Sequence, residues 1–349
     1  MEKVKIYVMT HKEFTPPSDP IYVPFHVKTK IGDNIAEKNC YYSELTGLYW
    51  VWKNEKDADI VGTCHYRRYL LNDNKNIFNK EEICHILKKY DVITTKTLDL
   101  NFSYYYGFGE NHKYYYLDEI EKIIKDIKPE YYDIYVKLVN EKHTYFGNML
   151  ICRKDLYDKY MEWLFDIFTE AEKRIVVDEE DSYHRRIYGF ISEFLQYVWI
   201  KYNKLDVYET MVGMLGEKAE TREVRHNLFA MLEEGKVDDA KQYILDARKK
   251  RPDILMEASD VTGELHICME IIAIAGLERQ KYGKSILDYR KTHDELIEFC
   301  NRLNTFTIRN INNVDIEKEK AWLIDNHATD VAFEVAQKCF ANANNVWKK

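Results

Sequence analysis

The chain is poor in the residues that interrupt regular structure, with 13 glycines and 6 prolines in 349 residues. That scarcity excludes collagen-like repeats and Pro/Gly-rich disorder. No apolar run approaches the roughly 18 residues that a membrane-spanning helix needs. The opening MEKVKIYVMTHKEF lacks the long apolar stretch and small-residue cleavage site of a signal peptide, so a cytoplasmic location is expected. The seven cysteines are scattered and never form C-x-x-C. They are expected to be reduced thiols, and a structural zinc site is not expected. Positive charge is not in excess, since 51 Lys+Arg stand against 59 Asp+Glu, a formal charge of -8. The balance is even along the chain, 30 basic to 35 acidic in 1–210 and 21 to 24 in 211–349. A nucleic-acid partner is therefore not expected. P-loop, G-x-S-x-G, H-E-x-x-H and a helix-opening G-x-G-x-x-G are all missing.

Tyrosine is what the chain has in quantity. Of 28 tyrosines, 24 lie in residues 1–206. This break, with Gly213 and Gly216 beside it, predicts a first domain over 1–212 and a second over 213–349.

In the first part, strand-like runs alternate with helical periods. Strands are expected at Val4–Met9, Ile21–Val27, Asp59–Cys64, Asp91–Thr95, Thr144–Cys152 and Leu205–Tyr208. Helices are expected at Ser43–Asn54, Glu81–Lys89, Asp118–Ile127, Glu130–Asn140, Leu156–Lys173 and Ile187–Lys201. The alternation indicates an α/β domain with a mostly parallel central sheet, whose ligands bind beyond the carboxyl ends of the strands. The second part reads as all helix: Arg222–Glu234, Val237–Lys250, Glu264–Leu277, Ser285–Asn301 and Ile316–Cys339. LEEGKVDDAKQYILDARKKRP is similar to one solenoid repeat unit, but three copies at a fixed period are missing, so a helical bundle is expected.

Several polar stretches stand out in the first part. His65, Arg67 and Arg68, in HYRRY, follow the strand DIVGTC directly. Arginine offers planar donors that suit a diphosphate; the alternative is a strand end with surface ion pairs. Asp33 and Asn34, ahead of Glu44, either cap a turn or hydrogen-bond a nucleotide or sugar. Gly147 and Asn148 interrupt an apolar run, as a bulge does or as a close approach to ligand does. Glu193 borders the apolar FLQYVWI, close to Arg186. It is either a desolvated carboxylate fit to act as a base or a helix N-terminal Glu favoured by the dipole. Asp57 and Asp59 have the spacing of a metal-binding pair but precede their strand, so they are read as structural. Tyr104–Tyr106 and Tyr114–Tyr116 flank Gly107–Lys113, as surface packing or as faces for a sugar or lipid-linked acceptor.

Taken in order, KIYVMTHKEF, GDNIAEKNCYYSELTGLYWVWKN, DIVGTCHYRRYL, FGNMLICRKDLYDKYMEWLF and RRIYGFISEFLQYVWI resemble one bacterial family. It is the domain-of-unknown-function family numbered 4422, associated with capsular and exopolysaccharide biosynthesis and regarded as glycosyltransferases. The resemblance covers about residues 3–210. It implies a GT-A-like fold and transfer of a sugar from a nucleotide sugar, a UDP-sugar with UDP-galactofuranose as one candidate, to a growing cell-surface polysaccharide.

The resemblance also distributes roles. Where many GT-A enzymes carry a metal-binding D-x-D, this chain has HYRR. Cations at His65, Arg67 and Arg68 then neutralise the leaving diphosphate, and no divalent metal, Mn or Mg, is obligatory. Glu193 deprotonates the acceptor. His11, Asp33, Asn34 and Glu44 contact nucleotide or sugar, Asn148 contacts sugar or acceptor, and Arg186 pairs with donor phosphate or orients Glu193. The acceptor is a glycan, free or lipid-linked, which allows peripheral membrane association and partners in a homo-oligomer or assembly complex. The rival expectations are a non-catalytic sugar-binding scaffold and a nucleotide-sugar-modifying enzyme.

Overall fold

The computed structural model describes residues 2–100, 102–178, 180–255, 259–312 and 316–346. The chain divides into two compact units, Met1–Leu215 and Gly216–Lys349.

The first unit is built on strands β1 (Val4–Thr10), β2 (Tyr22–His26), β3 (Ile60–His65), β4 (Arg68–Leu71), β5 (Val92–Thr95), β6 (Leu98–Asp99), β7 (His143–Thr144), β8 (Leu150–Arg153) and β9 (Val207–Met214). Its helices are α1 (Asn39–Tyr42), α2 (Leu45–Asn54), α3 (Lys80–Ile86), α4 (Tyr104–Gly109), α5 (Tyr114–Ile127), α6 (Tyr132–Val139), α7 (Lys154–Arg174) and α8 (Ile187–Tyr202). β1 and β3 are buried along their length apart from Lys5 and His65, as strands covered on both faces are. Gly62 sits at the centre of the sheet, between Ile6 and Ile151. A Cβ there would lie 2.6 Å from Ile6 Cδ1 and 2.7 Å from Ile151 Cγ1, so the layers close only around glycine.

The sheet is mixed, which corrects the expectation of a mostly parallel one. β1 pairs parallel with β2 and β3, and β5 pairs parallel with β9. β8 runs antiparallel between β3 and β5, and β4 runs antiparallel to β9. The reason lies in the connections. The chain enters β8 at the carboxyl ends of β3 and β5, where Leu150 pairs with both Thr63 and Thr94. The helices α4–α6 between β5 and β8 return the chain to the same end of the sheet, so the strand runs back. β4 leaves β3 by a two-residue turn, touches it once through His65 and Arg68, and continues on to β9. β2 is an edge strand, and Pro24 lies in its middle, opposite Val8.

Half of the 28 tyrosines are core material. Tyr135, Tyr145, Tyr157 and Tyr160 are all but fully buried. Three of these phenols donate inward: Tyr135 to Leu117 O at 3.0 Å, Tyr157 to Leu48 O at 3.0 Å and Tyr145 to Glu209 Oε1 at 2.8 Å. Buried phenols need such partners, and an interior built this way is specific as well as apolar.

The second unit is helical: α9 (Ala219–Glu233), α10 (Val237–Lys250), α11 (Glu264–Tyr282), α12 (Ile286–Tyr289), α13 (His293–Ile311), α14 (Glu317–Asp325) and α15 (Asp330–Val346). Two single helices expected from periodicity are each broken in two. Ser285 and Thr292 open α12 and α13 with capping boxes to Asp288 and Glu295. Its core centres on Leu265, Ile271, Phe299 and Leu303. No helix among the described residues is long and apolar enough to cross a membrane.

Candidate functional site

The site grows from a bend. Gly147 at φ +106° and Asn148 at φ +44° turn the chain into β8, at the carboxyl end of β3. This stretch was expected to continue a strand; it is irregular from Tyr145 to Met149. Left-handed φ is cheap for glycine and tolerable for asparagine, which accounts for both residue types.

Six residues fasten the bend. His65 Nε2 donates to Gly147 O at 2.8 Å, and the Gly147 N–H donates to Glu193 Oε1 at 2.9 Å. Thr63 Oγ1 donates to Asn148 O at 3.3 Å. The Asn148 amide faces inward, with Nδ2 donating to Glu44 Oε1 at 2.8 Å and to Gly189 O at 2.9 Å. Its Oδ1 accepts from Ser192 Oγ at 2.7 Å. At 3% exposure and with both N–H groups engaged, Asn148 is placed to hold the site together. That replaces the expected contact with sugar or acceptor.

Electrostatics follow from the packing. Glu193 is the seventh residue of α8, beyond the first turn, so the helix dipole does not account for its place. Its carboxyl is pushed up to about 8, first by burial and then by the charge of Glu44. Arg68, the Gly147 N–H and Arg186 pull the other way. Burial pushes the His65 imidazole down, opposed by Glu44 and helped by Arg68 and Arg67. A carbonyl partner requires the proton on Nε2. His65 thus spends its Nε2–H on the backbone in surroundings that disfavour its charged form, which corrects the expectation of a cation facing a diphosphate. Arg67 lies in the turn between β3 and β4, and Arg68 opens β4.

The structure therefore brings Glu44, His65, Arg67, Arg68, Asn148, Arg186 and Glu193 into one neighbourhood. Arg186 precedes α8, and its guanidinium lies over the rings of Tyr183 at 5.5 Å and Phe190 at 5.3 Å. His11, at the exit of β1, meets the edge of Tyr66 at 5.4 Å. Lys12 Nζ and the Arg67 guanidinium lie 5.4 and 5.3 Å from the same Tyr66 ring. Asp33 and Asn34 are held elsewhere. Asp33 Oδ1 accepts from Tyr49 at 3.1 Å, and Asn34 Nδ2 donates to Gly32 O at 2.8 Å. These bonds tie the loop between β2 and α1 to itself and to α2.

Asp57 and Asp59 do not fit a divalent cation. Asp57 Oδ1 accepts from Lys3 Nζ at 2.7 Å and Asp59 Oδ2 from the Lys3 N–H at 2.8 Å, at the opposite end of β3. Among the described residues no three His, Cys, Asp or Glu side chains converge for a metal. The two tyrosine triplets open α4 and α5, on either side of the non-helical residues 110–113. Tyr104 stacks on Phe194 at 4.2 Å and Tyr105 on Tyr114 at 4.7 Å.

Sequence reasoning missed Tyr66, Thr63, Ser192 and Gly189. Ser192 carried a faint signal, a lone hydroxyl within an apolar helix.

The chain is similar to the apo structure of the WbbM bifunctional glycosyltransferase, with 28% identity and a TM-score of 0.57. The likeness covers 62% of this chain and 46% of that one, so this chain spans less than half of that structure's length. No curated protein matches. The model of one family matches residues 5–204, more than half of the sequence. The chain belongs to that family, described as Domain of unknown function (DUF4422).

Proposed function

We propose that the chain is a glycosyltransferase, moving a sugar from a nucleotide-sugar donor to a glycan acceptor. The observation that carries the reading is a carboxyl with raised proton affinity, Glu193, fixed on the Gly147 N–H within reach of the field of Arg68 and Arg186. A base poised near the working pH, beside cations that can receive a leaving diphosphate, is what displacement at an anomeric carbon requires.

In the proposed step Glu193 takes the proton of an acceptor hydroxyl. The oxygen forms a bond to the anomeric carbon, and the bond from that carbon to the diphosphate breaks. The electron pair leaves with the nucleoside diphosphate, whose charge Arg67 and Arg68 meet. Tyr66, with Lys12 and Arg67 near its ring, offers a face for the nucleotide, and His11 borders it. Arg186 orients or electrostatically supports Glu193. The donor is a UDP-sugar, with UDP-galactofuranose as one candidate, and the acceptor is a cell-surface polysaccharide assembled at the cytoplasmic face of the membrane. Likeness to a bifunctional glycosyltransferase supports the reaction class.

Glu193→Gln should lower turnover by at least about a hundredfold, in the range of a lost general base, while donor binding, read as a rise in melting temperature, is retained. Turnover like that of the parent chain refutes the base. The same assay run with excess chelator should keep its rate, because the cationic turn takes the place of a metal. Loss of rate restored by Mn²⁺ refutes that part of the reading.

A further inference from the structure

We propose that Glu44, held in place by the Ser192–Asn148 chain, is a positioning residue that sets the protonation state of Glu193 and thereby the pH range of turnover. The inference rests on the reading of Glu193 as the base.

Successive residues of one bend each hold one carboxylate. The Gly147 backbone N–H holds Glu193, and the Asn148 side chain holds Glu44. The distance between the two acids is therefore set by a clamped stretch of backbone and not by two free side chains. The direction of the Asn148 amide is determined. Turned over, its oxygen would face the Glu44 carboxylate and Gly189 O, two acceptors. Ser192, next to Glu193 on α8, closes the chain by donating to Asn148 Oδ1. Asn148 is also held in left-handed backbone, a conformation that a surrounding network must sustain.

Two like charges in a partly desolvated place disfavour each other. The groups facing Glu193 are Glu44 ahead of α2, Arg68 on β4, Arg186 ahead of α8, and Tyr104 on α4. His65 faces it across Gly147, with Nε2 donating to the Gly147 carbonyl. Of these, Glu44 is the one that strengthens proton binding by charge. Removing that charge leaves Arg68 and Arg186 unopposed, so Glu193 ionises at lower pH. A glutamine at 44 can still accept from Asn148 Nδ2, so the shape of the network is kept.

The test is the pH profile of kcat/KM for the parent chain, Glu44→Gln and Glu44→Asp. In Glu44→Gln the acid limb should move down by about one pH unit, a tenfold change in ionised fraction at a given pH. Glu44→Asp keeps the charge and should keep the limb of the parent chain. An unmoved limb in Glu44→Gln, or an equal shift in Glu44→Asp, overturns the proposal. A measurement without substrate separates this from the reaction itself. The difference in melting temperature between each chain and its Glu193→Gln partner, followed against pH, reports the titration of Glu193 directly. If no donor gives turnover but this difference moves down by a similar interval in Glu44→Gln, the functional reading fails and the role of Glu44 stands. If neither moves, the role of Glu44 fails.

Discussion

Glu193 carries a carboxyl in surroundings that favour its neutral form, and stability must record that. Its ordinary value of 4.5 is raised to about 8 in the fold. Between those values the folded state holds a proton that the unfolded state has lost, so the contribution of Glu193 to stability falls as pH rises through the window and levels off above it. Glu193→Gln removes this cost. It should melt higher than the parent chain, with the gap widening from about pH 5 to about pH 8; a gap that shrinks over that interval contradicts the assigned surroundings. The residue was legible in sequence because a lone acid inside an apolar helix is conspicuous. Its partnership with Glu44 was not, since 149 positions separate them and only the fold joins them. Nor was the inward turn of Asn148, because sequence can show that an amide is present but not which oxygen it faces. His65 was legible as a site residue and misleading as a cation, since its charge depends on burial and on the Gly147 carbonyl.

At the level of elements, position along the chain was easier to read than direction. β1, β2, β3 and β5 lie where β-branched and aromatic runs end in turns, and α8 nearly matches its expected span. The direction of β8 depends on how the chain arrives. The left-handed pair Gly147–Asn148 delivers it at the carboxyl ends of its neighbours, and hydrophobic period carries no trace of that. β4 was hidden because a two-residue turn leaves no room for a loop signal. Gly62 shows how tightly β3 is fitted between β1 and β8. Gly62→Ala brings a methyl against Ile6, Ile151 and the Leu150 carbonyl, the last at 3.2 Å. A loss of about 1–3 kcal/mol in denaturant unfolding is expected, the usual range for overpacking. An unchanged midpoint means the three strands can move apart.

At the scale of the molecule, the first unit holds the site and the second has a separate apolar core. Tyrosine marks the first unit in part because phenols build its interior. Phe299 is fully buried in the second core. Phe299→Ala should lower stability by about 3–5 kcal/mol and leave the Glu193-dependent rate per folded molecule unchanged. A fall in that rate would show that the helical unit contributes to chemistry. The edge strand β2 has a different bearing on the protein's life in solution. Its outer side has no paired neighbour among the described strands. An open ladder of this kind invites another chain to add a strand, the first step toward aggregation. Pro24, midway along it, has no N–H to offer such a visitor and fixes its own φ, so the sheet can remain open on this side without recruiting copies of itself.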